Sequence, residues 1–274
     1  MAIITISRGS FSKGRAVAEK VAQTLGYACI SREVLLEVSE HFNINEIKLE
    51  HALHDAPSIL ERFTYGKESY LAYIAAAILE EVHHDNVIYH GLAGQFFLRG
   101  VSHVLKVRIL ADMDDRVALM MAREQLSKKQ AIKQLRRDDH ERRQWSKQLF
   151  GVDTWDSSLY DMVLHVHKLS VDDASNLISQ AAQMEQFKAT PESRKMLENL
   201  VIAARVRARL VHDYPMVQVH ADDGVVTVDV KFNETVEPEL TDEIKALVHE
   251  MPGVKDVRMH PISISAYAHD PDRE

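Results

Sequence analysis

An apolar run, Ile3-Ile4-Thr5-Ile6, empties directly into Ser7-Arg8-Gly9-Ser10-Phe11-Ser12-Lys13-Gly14-Arg15, and from Ala16 to Leu25 the apolar residues Val17, Val21 and Leu25 recur at helical spacing. A strand, a glycine-bearing loop and a helix in that order commit the start of the chain to an α/β arrangement. Gly9 and Gly14 keep the G-x-x-x-x-G spacing of loops whose backbone amides wrap a phosphate. The helix N-terminus beyond them would add its partial positive charge to that of Arg8, Lys13 and Arg15. In the usual pattern a lysine and a hydroxyl residue follow the second glycine; here Arg15 and Ala16 stand there. The loop therefore keeps phosphate chemistry and loses the side chain that normally grips Mg²⁺. The candidate phosphate contacts are Arg8, Gly9, Ser10, Ser12, Lys13, Gly14, Arg15 and Ala16.

The rest of the first two-thirds alternates helices with strands. Tyr27 to Ile30 is a short apolar stretch, and Ser31 can cap a helix from Arg32 to about Phe42. Residues 43–66 are polar and irregular. Tyr70 to Val82 reads as a helix, Val87-Ile88-Tyr89 as a buried strand running into Gly91-Leu92-Ala93-Gly94, and Val104 to Leu110 as a further strand. Asp114 to Lys147 reads as one or more charged helices with Ser127 as an internal cap. Tyr160 to Val166 reads as a strand, and Val171 to Met184 as a helix capped by Ser170. Strands that are near-continuous apolar runs, each followed by a helix, predict a parallel sheet covered on both faces.

From about residue 185 the pattern changes. Gln186 to Glu192 is a polar, proline-bearing linker, followed by a helix from Ser193 to His212. Met216 to His220 and Val225 to Val230 form a hairpin about Asp222-Asp223-Gly224. A helix from Leu240 to Met251 and a strand from Val254 to Ile264 complete a small α+β unit. The expected organisation is a parallel α/β domain over residues 1–184, a linker over 185–192 and an α+β domain over 193–274, with a frayed tail from His269.

A net charge of −8 lacks the broad basic face that general nucleic-acid binding requires. No apolar run approaches the roughly 18 to 20 residues of a membrane span. The N-terminus shows no basic, apolar and small-residue cleavage pattern, so a cytoplasmic location is expected. The single cysteine, Cys29, excludes an intrachain disulfide and a thiolate metal cluster, and is expected in the core. Among the fifteen histidines, His165 and His167 share a strand face but show no third ligand in the sequence; Asp112 and Asp161 are candidate Mg²⁺ contacts through water but read first as cap or strand-end residues. No residue is assigned to a metal.

Taken together, Ile3 to Arg15, Asn86-Val87-Ile88-Tyr89-His90-Gly91, Asp139-His140-Glu141-Arg142 and Tyr160-Asp161-Met162-Val163-Leu164 make residues 1–184 resemble the cytidylate kinase-like family, among the P-loop nucleoside monophosphate kinases. The loop of that family reads close to S-R-x-x-G-S-G-G-R. Ser7, Arg8, Ser12, Gly14 and Arg15 match it, while Phe11 and Lys13 stand where glycine is common. The resemblance implies ATP or another nucleotide as cofactor, with Mg²⁺. It makes the charged helical segment a lid, with Asp139 and Arg142 as its D-x-x-R element and Arg15, Asp139 and Arg142 as catalytic residues. Mobile arginines that arrive with lid closure spread charge in phosphoryl transfer. From the residues alone, Asp139 and Arg142 read first as an i,i+3 ion pair on a solvated helix, worth about 0.2 to 0.5 kcal/mol; the resemblance is what turns the reading to the lid. Leu92 replaces the arginine expected to hold an acceptor phosphate. Residues Ser193 to Ile264, with Met251-Pro252-Gly253-Val254-Lys255-Asp256-Val257, resemble a BON domain, which implies membrane-surface, ligand or protein contacts; a dimerisation or regulatory appendage is the alternative.

Three functions follow as expectations. The first is a kinase moving the γ-phosphoryl group of ATP to a nucleoside monophosphate or another small acceptor. The second is an inactive nucleotide sensor that signals through the C-terminal domain, suggested by Ala16 and Leu92. The third is an assembly scaffold, with homo-oligomer or partner contacts through that domain.

Overall fold

The computed structural model describes residues 2–31, 66–91, 94–232 and 238–263. The expected helix 32–42, all of the irregular segment 43–66 except Gly66, Leu92 and the tail lie outside the described residues; Gly66 begins a helix. Five parallel strands, β1 (Ile3–Arg8), β2 (Ala28–Ile30), β3 (Val87–His90), β4 (Val104–Leu110) and β5 (Met162–His165), form one sheet in the order β2-β3-β1-β4-β5. Strand alternation sorts their side chains into two layers. Ile3, Val87, Tyr89 and Val104 join one apolar cluster, and Ile4, Ile6, Ile88, Leu105, Val107 and Ile109 join the other. Helices α1 (Gly14–Leu25) and α6 (Val171–Ala182) cover the second layer through Val17, Val21, Ala174 and Ile178. The first layer is covered by α2 (Gly66–Val82), α3 (Gly94–Phe97) and, from the end of the chain, α7 (Pro191–Leu210).

Between β4 and β5 the charged segment forms two helices, α4 (Met113–Glu124) and α5 (Lys128–Phe150). Ser127 separates them as a full capping box with Gln130. Val117, Met120, Ala131 and Leu135 give this helical arm a small core of its own. Trp145, near the end of α5, is fully buried in the first layer, which ties the base of the arm to the sheet. Cys29, expected in the core, is instead exposed: it lies on β2, a three-residue strand that pairs only with β3 among the described residues.

The sequence reading places a linker through Glu192, but α7 begins at Pro191. Proline suits the first helical position because its missing N–H has no intrahelical acceptor there, and Thr190 caps the turn. Two stripes run along α7. Leu197, Val201, Ala204 and Ala208 belong to the first layer of the α/β domain, whereas Ile202, Val206 and Leu210 belong to a second core with Val217, Val226, Val228 and Val230. That core is closed by β6 (Gln218–Asp222), β7 (Val225–Phe232), β8 (Asp256–Ser263) and α8 (Pro238–His249). β6 pairs antiparallel and β8 parallel with β7. The hairpin turn needs positive φ at Asp223 (50°) and Gly224 (79°), and a Cβ at Gly224 would lie 2.8 Å from Gly253 O.

Polar pairs fix α7 on the α/β domain. Arg205 grips Glu80 through Nε at 2.7 Å and Nη2 at 2.5 Å, His83 pairs with Glu198, and Arg194 lies 3.4 Å from Asp85. His103 is fully buried, with Nδ1 2.7 Å from Ser193 Oγ and Nε2 3.0 Å from Asp85 Oδ1. Burial holds the His103 pKa below its ordinary value of 6.5, outweighing the pull of Asp85. The folded state therefore prefers the neutral ring, and below that value the unfolded chain binds more protons. The contribution of His103 is complete above the unfolded pKa and is lost as the pH falls below it. Between about pH 7 and about pH 5, urea unfolding is expected to show a steeper loss of stability in the wild type than in His103→Gln. Parallel pH curves would mean that this histidine carries no such linkage.

Candidate functional site

The loop of interest leaves the C-terminal end of β1, the central strand of the sheet, where open α/β sheets bind ligands. Ser10 and Ser12 are buried, and Ser12 donates from Oγ (3.0 Å) and from N (3.4 Å) to Gly9 O. Gly14 opens α1, and a Cβ there would come within 2.7 Å of both Cβ and Cδ of Arg8. A residue larger than glycine would push the helix start away from the strand end. Like any helix start, the first turn of α1 carries amides without intrahelical acceptors, and it follows directly on the loop.

Phe11 and Lys13, the two departures from the family's glycines, have φ of 56° and 62°. The left-handed region costs a non-glycine residue roughly 1 to 2 kcal/mol. Phe11 has a compensating contact, because its ring packs on the small core of the helical arm. Lys13 occupies the N-cap of α1 without a side-chain capping bond.

The arm bears directly on the loop. Arg116, buried in α4, donates from Nε to Ser10 O at 2.8 Å and from both terminal nitrogens to Asp139 of α5, each at 2.8 Å. These two side chains stand against Gly9, where a Cβ would lie 3.3 Å from Arg116 Nη2 and 3.5 Å from Asp139 Oδ1. Arg142 donates from Nη1 to Arg8 O at 3.2 Å. Asp139 and Arg142 are thus both at the loop but not paired as an i,i+3 couple: the carboxylate goes to Arg116 and the guanidinium to the backbone. Arg15 projects from the outer face of α1, with Nε 2.7 Å from Glu19 Oε1 and a side chain 62% exposed. Ala16, also exposed, offers no side-chain oxygen.

A polar anchor supports the loop from behind. Tyr160 Oη lies 3.3 Å from Ser7 Oγ and 3.1 Å from Thr154 O, and accepts from Arg108 Nη1 at 3.1 Å. Arg143 and Lys147 of α5 converge on Asp153, whose carboxyl they hold well below the usual carboxylate range, Arg143 foremost. Sequence reasoning placed Arg116 only among the basic residues of the arm. Its position one turn into the helix after β4 was the available signal, but nothing local shows that Asp139 would reach it.

A parallel sheet with a glycine-bearing loop at the end of its central strand and a helical arm resting on that loop defines a phosphate-loop α/β protein. The chain belongs to the cytidylate kinase-like family, whose sequence profile matches residues 3–168. No curated protein matches it. Among solved structures it is similar to an uncharacterized protein from Eubacterium ventriosum, at 20% identity over 68% of this chain and 100% of that one, with a TM-score of 0.49. It is also similar to shikimate kinase from Acinetobacter baumannii in complex with shikimate (11% identity, 69% and 96% of the chains, TM-score 0.40). A third is deoxyadenosine kinase from M. mycoides with dCMP and dCDP bound (13%, 65% and 97%, TM-score 0.38). Likenesses this slight carry no argument about activity or substrate. Among the described residues no helix is long and apolar enough to cross a membrane.

Proposed function

We propose that the chain binds a nucleoside triphosphate, ATP foremost, with its phosphates on the loop Arg8–Arg15, and transfers the γ-phosphoryl group to a nucleoside monophosphate or another small acceptor. The observation that carries this reading is the convergence of Arg116, Asp139 and Arg142 on a loop that is closed tightly enough to exclude a side chain at Gly14. Backbone amides and the α1 N-terminus would take the phosphate oxygens. Arg142 and Lys13 are the cations that would neutralise charge as it develops on the transferred group, with Arg15 adding to the field from the rim, while Asp139 and Arg116 hold the arm over it and limit water. The family supplies the expectation of Mg²⁺, which would supply positive charge to offset that of the phosphates. Ala16 has only a methyl group where a hydroxyl ligand usually stands, so this metal would be held by phosphates and water rather than by that position.

The same alanine favours a second reading, in which nucleotide is bound without turnover. α7 gives that reading a physical route, because it belongs at once to the α/β core and to the core of the C-terminal unit. In this reading the unit, of the BON-like kind, presents the signal to a ligand or a protein partner. Calorimetric titration of ATP with and without Mg²⁺, followed by a panel of monophosphates, separates these outcomes. Saturable binding with phosphoryl transfer is expected; binding without transfer selects the sensor, and no binding removes both readings. Arg15→Ala is expected to weaken binding about tenfold, or about 1.4 kcal/mol.

A further inference from the structure

A cluster unused by the phosphate chemistry lies at the ends of two neighbouring strands. β4 and β5 are parallel with Leu110 opposite His165, and Val166 N–H donates to Leu110 O at 2.8 Å. The register carries Asp112, two residues past Leu110, up beside His167, two residues past His165. The first turn of α4 then adds Asp115. His167 Nδ1 lies 3.0 Å from Asp115 Oδ2 and 3.2 Å from Asp112 Oδ2, while His165 Nε2 lies 3.1 Å from Asp112 Oδ1. One ligand atom each from Asp112, Asp115 and His167 falls within 4.8 Å of the others.

Two features make this cluster suited to a metal ion. Asp112 occupies the N-cap of α4, where a carboxylate normally accepts from a first-turn amide, yet it makes no such bond; its two oxygens face two imidazoles instead. The spacing is the second feature. Ligands at about 2.0 to 2.2 Å in a tetrahedron have donor atoms roughly 3.3 to 3.6 Å apart, close to the 3.0 and 3.2 Å that separate His167 Nδ1 from the two carboxylates.

We infer that Asp112, Asp115 and His167 form a binding site for a divalent transition metal of the Zn²⁺ class, with His165 orienting Asp112 and the fourth position open to solvent. An imidazole with two carboxylates suits Zn²⁺ or Co²⁺ and disfavours Mg²⁺ and Ca²⁺, which prefer oxygen alone. His165 Nε2 stands 3.1 Å from the Asp112 oxygen that does not face His167, an outer contact of the kind that orients a ligating carboxylate. The ligand side chains are 46%, 36% and 51% exposed, which leaves an entry path and room for water as the fourth ligand. Ligation needs a bare Nδ1, so the ion displaces the proton that His167 otherwise shares with the carboxylates.

The inference stands apart from the nucleotide reading, and its test contains no nucleotide. Full-length protein stripped with chelator and dialysed is titrated with Co²⁺, read by the visible d–d bands of low-symmetry cobalt and by competition with Zn²⁺. One equivalent is expected to bind saturably, and Asp115→Asn and His167→Gln are each expected to weaken it at least tenfold. His260→Gln, which removes the ring that stands 3.3 Å from Asp229 in another His–carboxylate pair, should leave it unchanged. Binding in Asp115→Asn and His167→Gln equal to the wild type, or no saturable Co²⁺ binding, overturns the site. Imidazole NMR of the wild type gives a readout without substitution: paramagnetic broadening of His165 and His167 first is expected, and broadening that spares both overturns the inference.

Discussion

Arg116→Met is expected to lower the unfolding free energy by about 2 to 3 kcal/mol, somewhat below the cost of breaking a fully buried pair because Asp139 keeps some exposure. Three hydrogen bonds of this side chain span α4, α5 and the loop, and methionine keeps much of the volume while removing all of them. Asp139→Leu alone should cost a similar amount, because it leaves a buried guanidinium without its carboxylate. The double variant should recover most of the loss, since each single change leaves an unpaired charge that the other removes. Urea unfolding of the four proteins measures the coupling. Strict additivity would mean that the arm is held on the loop by Phe11 and the backbone contacts rather than by this pair.

Gly14→Ala is expected to weaken ATP at least 100-fold, about 2.7 kcal/mol, while costing only about 1 to 3 kcal/mol of stability. The methyl group would meet Arg8 Cβ at 2.7 Å, and Arg8 Cβ is fixed by β1, so the start of α1 has to move. Movement there displaces the first-turn amides, the groups proposed to hold phosphate, whereas most of the two apolar layers is untouched. Calorimetric titration beside thermal unfolding separates the two effects. An alanine variant that unfolds earlier yet binds ATP like the wild type would move the phosphates off this loop.

Much of the fold was legible locally. The strand Val104–Leu110, the caps Ser127 and Ser170, and the Asp223-Gly224 turn all sit where apolar runs and turn chemistry place them. These are features of a few consecutive residues, decided by backbone preference and hydrophobic period. Gly14 was legible too, although as part of a spacing; the contact that forbids a larger residue, Arg8 Cβ, belongs to the preceding strand. Phe11 was less so, because the core that holds its ring is built by α4 and α5, more than a hundred residues later.

By itself the sequence determined an alternating α/β chain, the place and residues of the strand–loop–helix unit, and a C-terminal unit of helices and a Val-rich hairpin. Tertiary structure alone decided that Arg116 would take Asp139 away from Arg142, that α7 would serve two cores, and that Asp112 would meet His167. The reason is physical. Periodicity says which face of an element is apolar, but the partner of that face, and of every polar group beside it, depends on strand order and register, which are set by the packing of the whole chain at once.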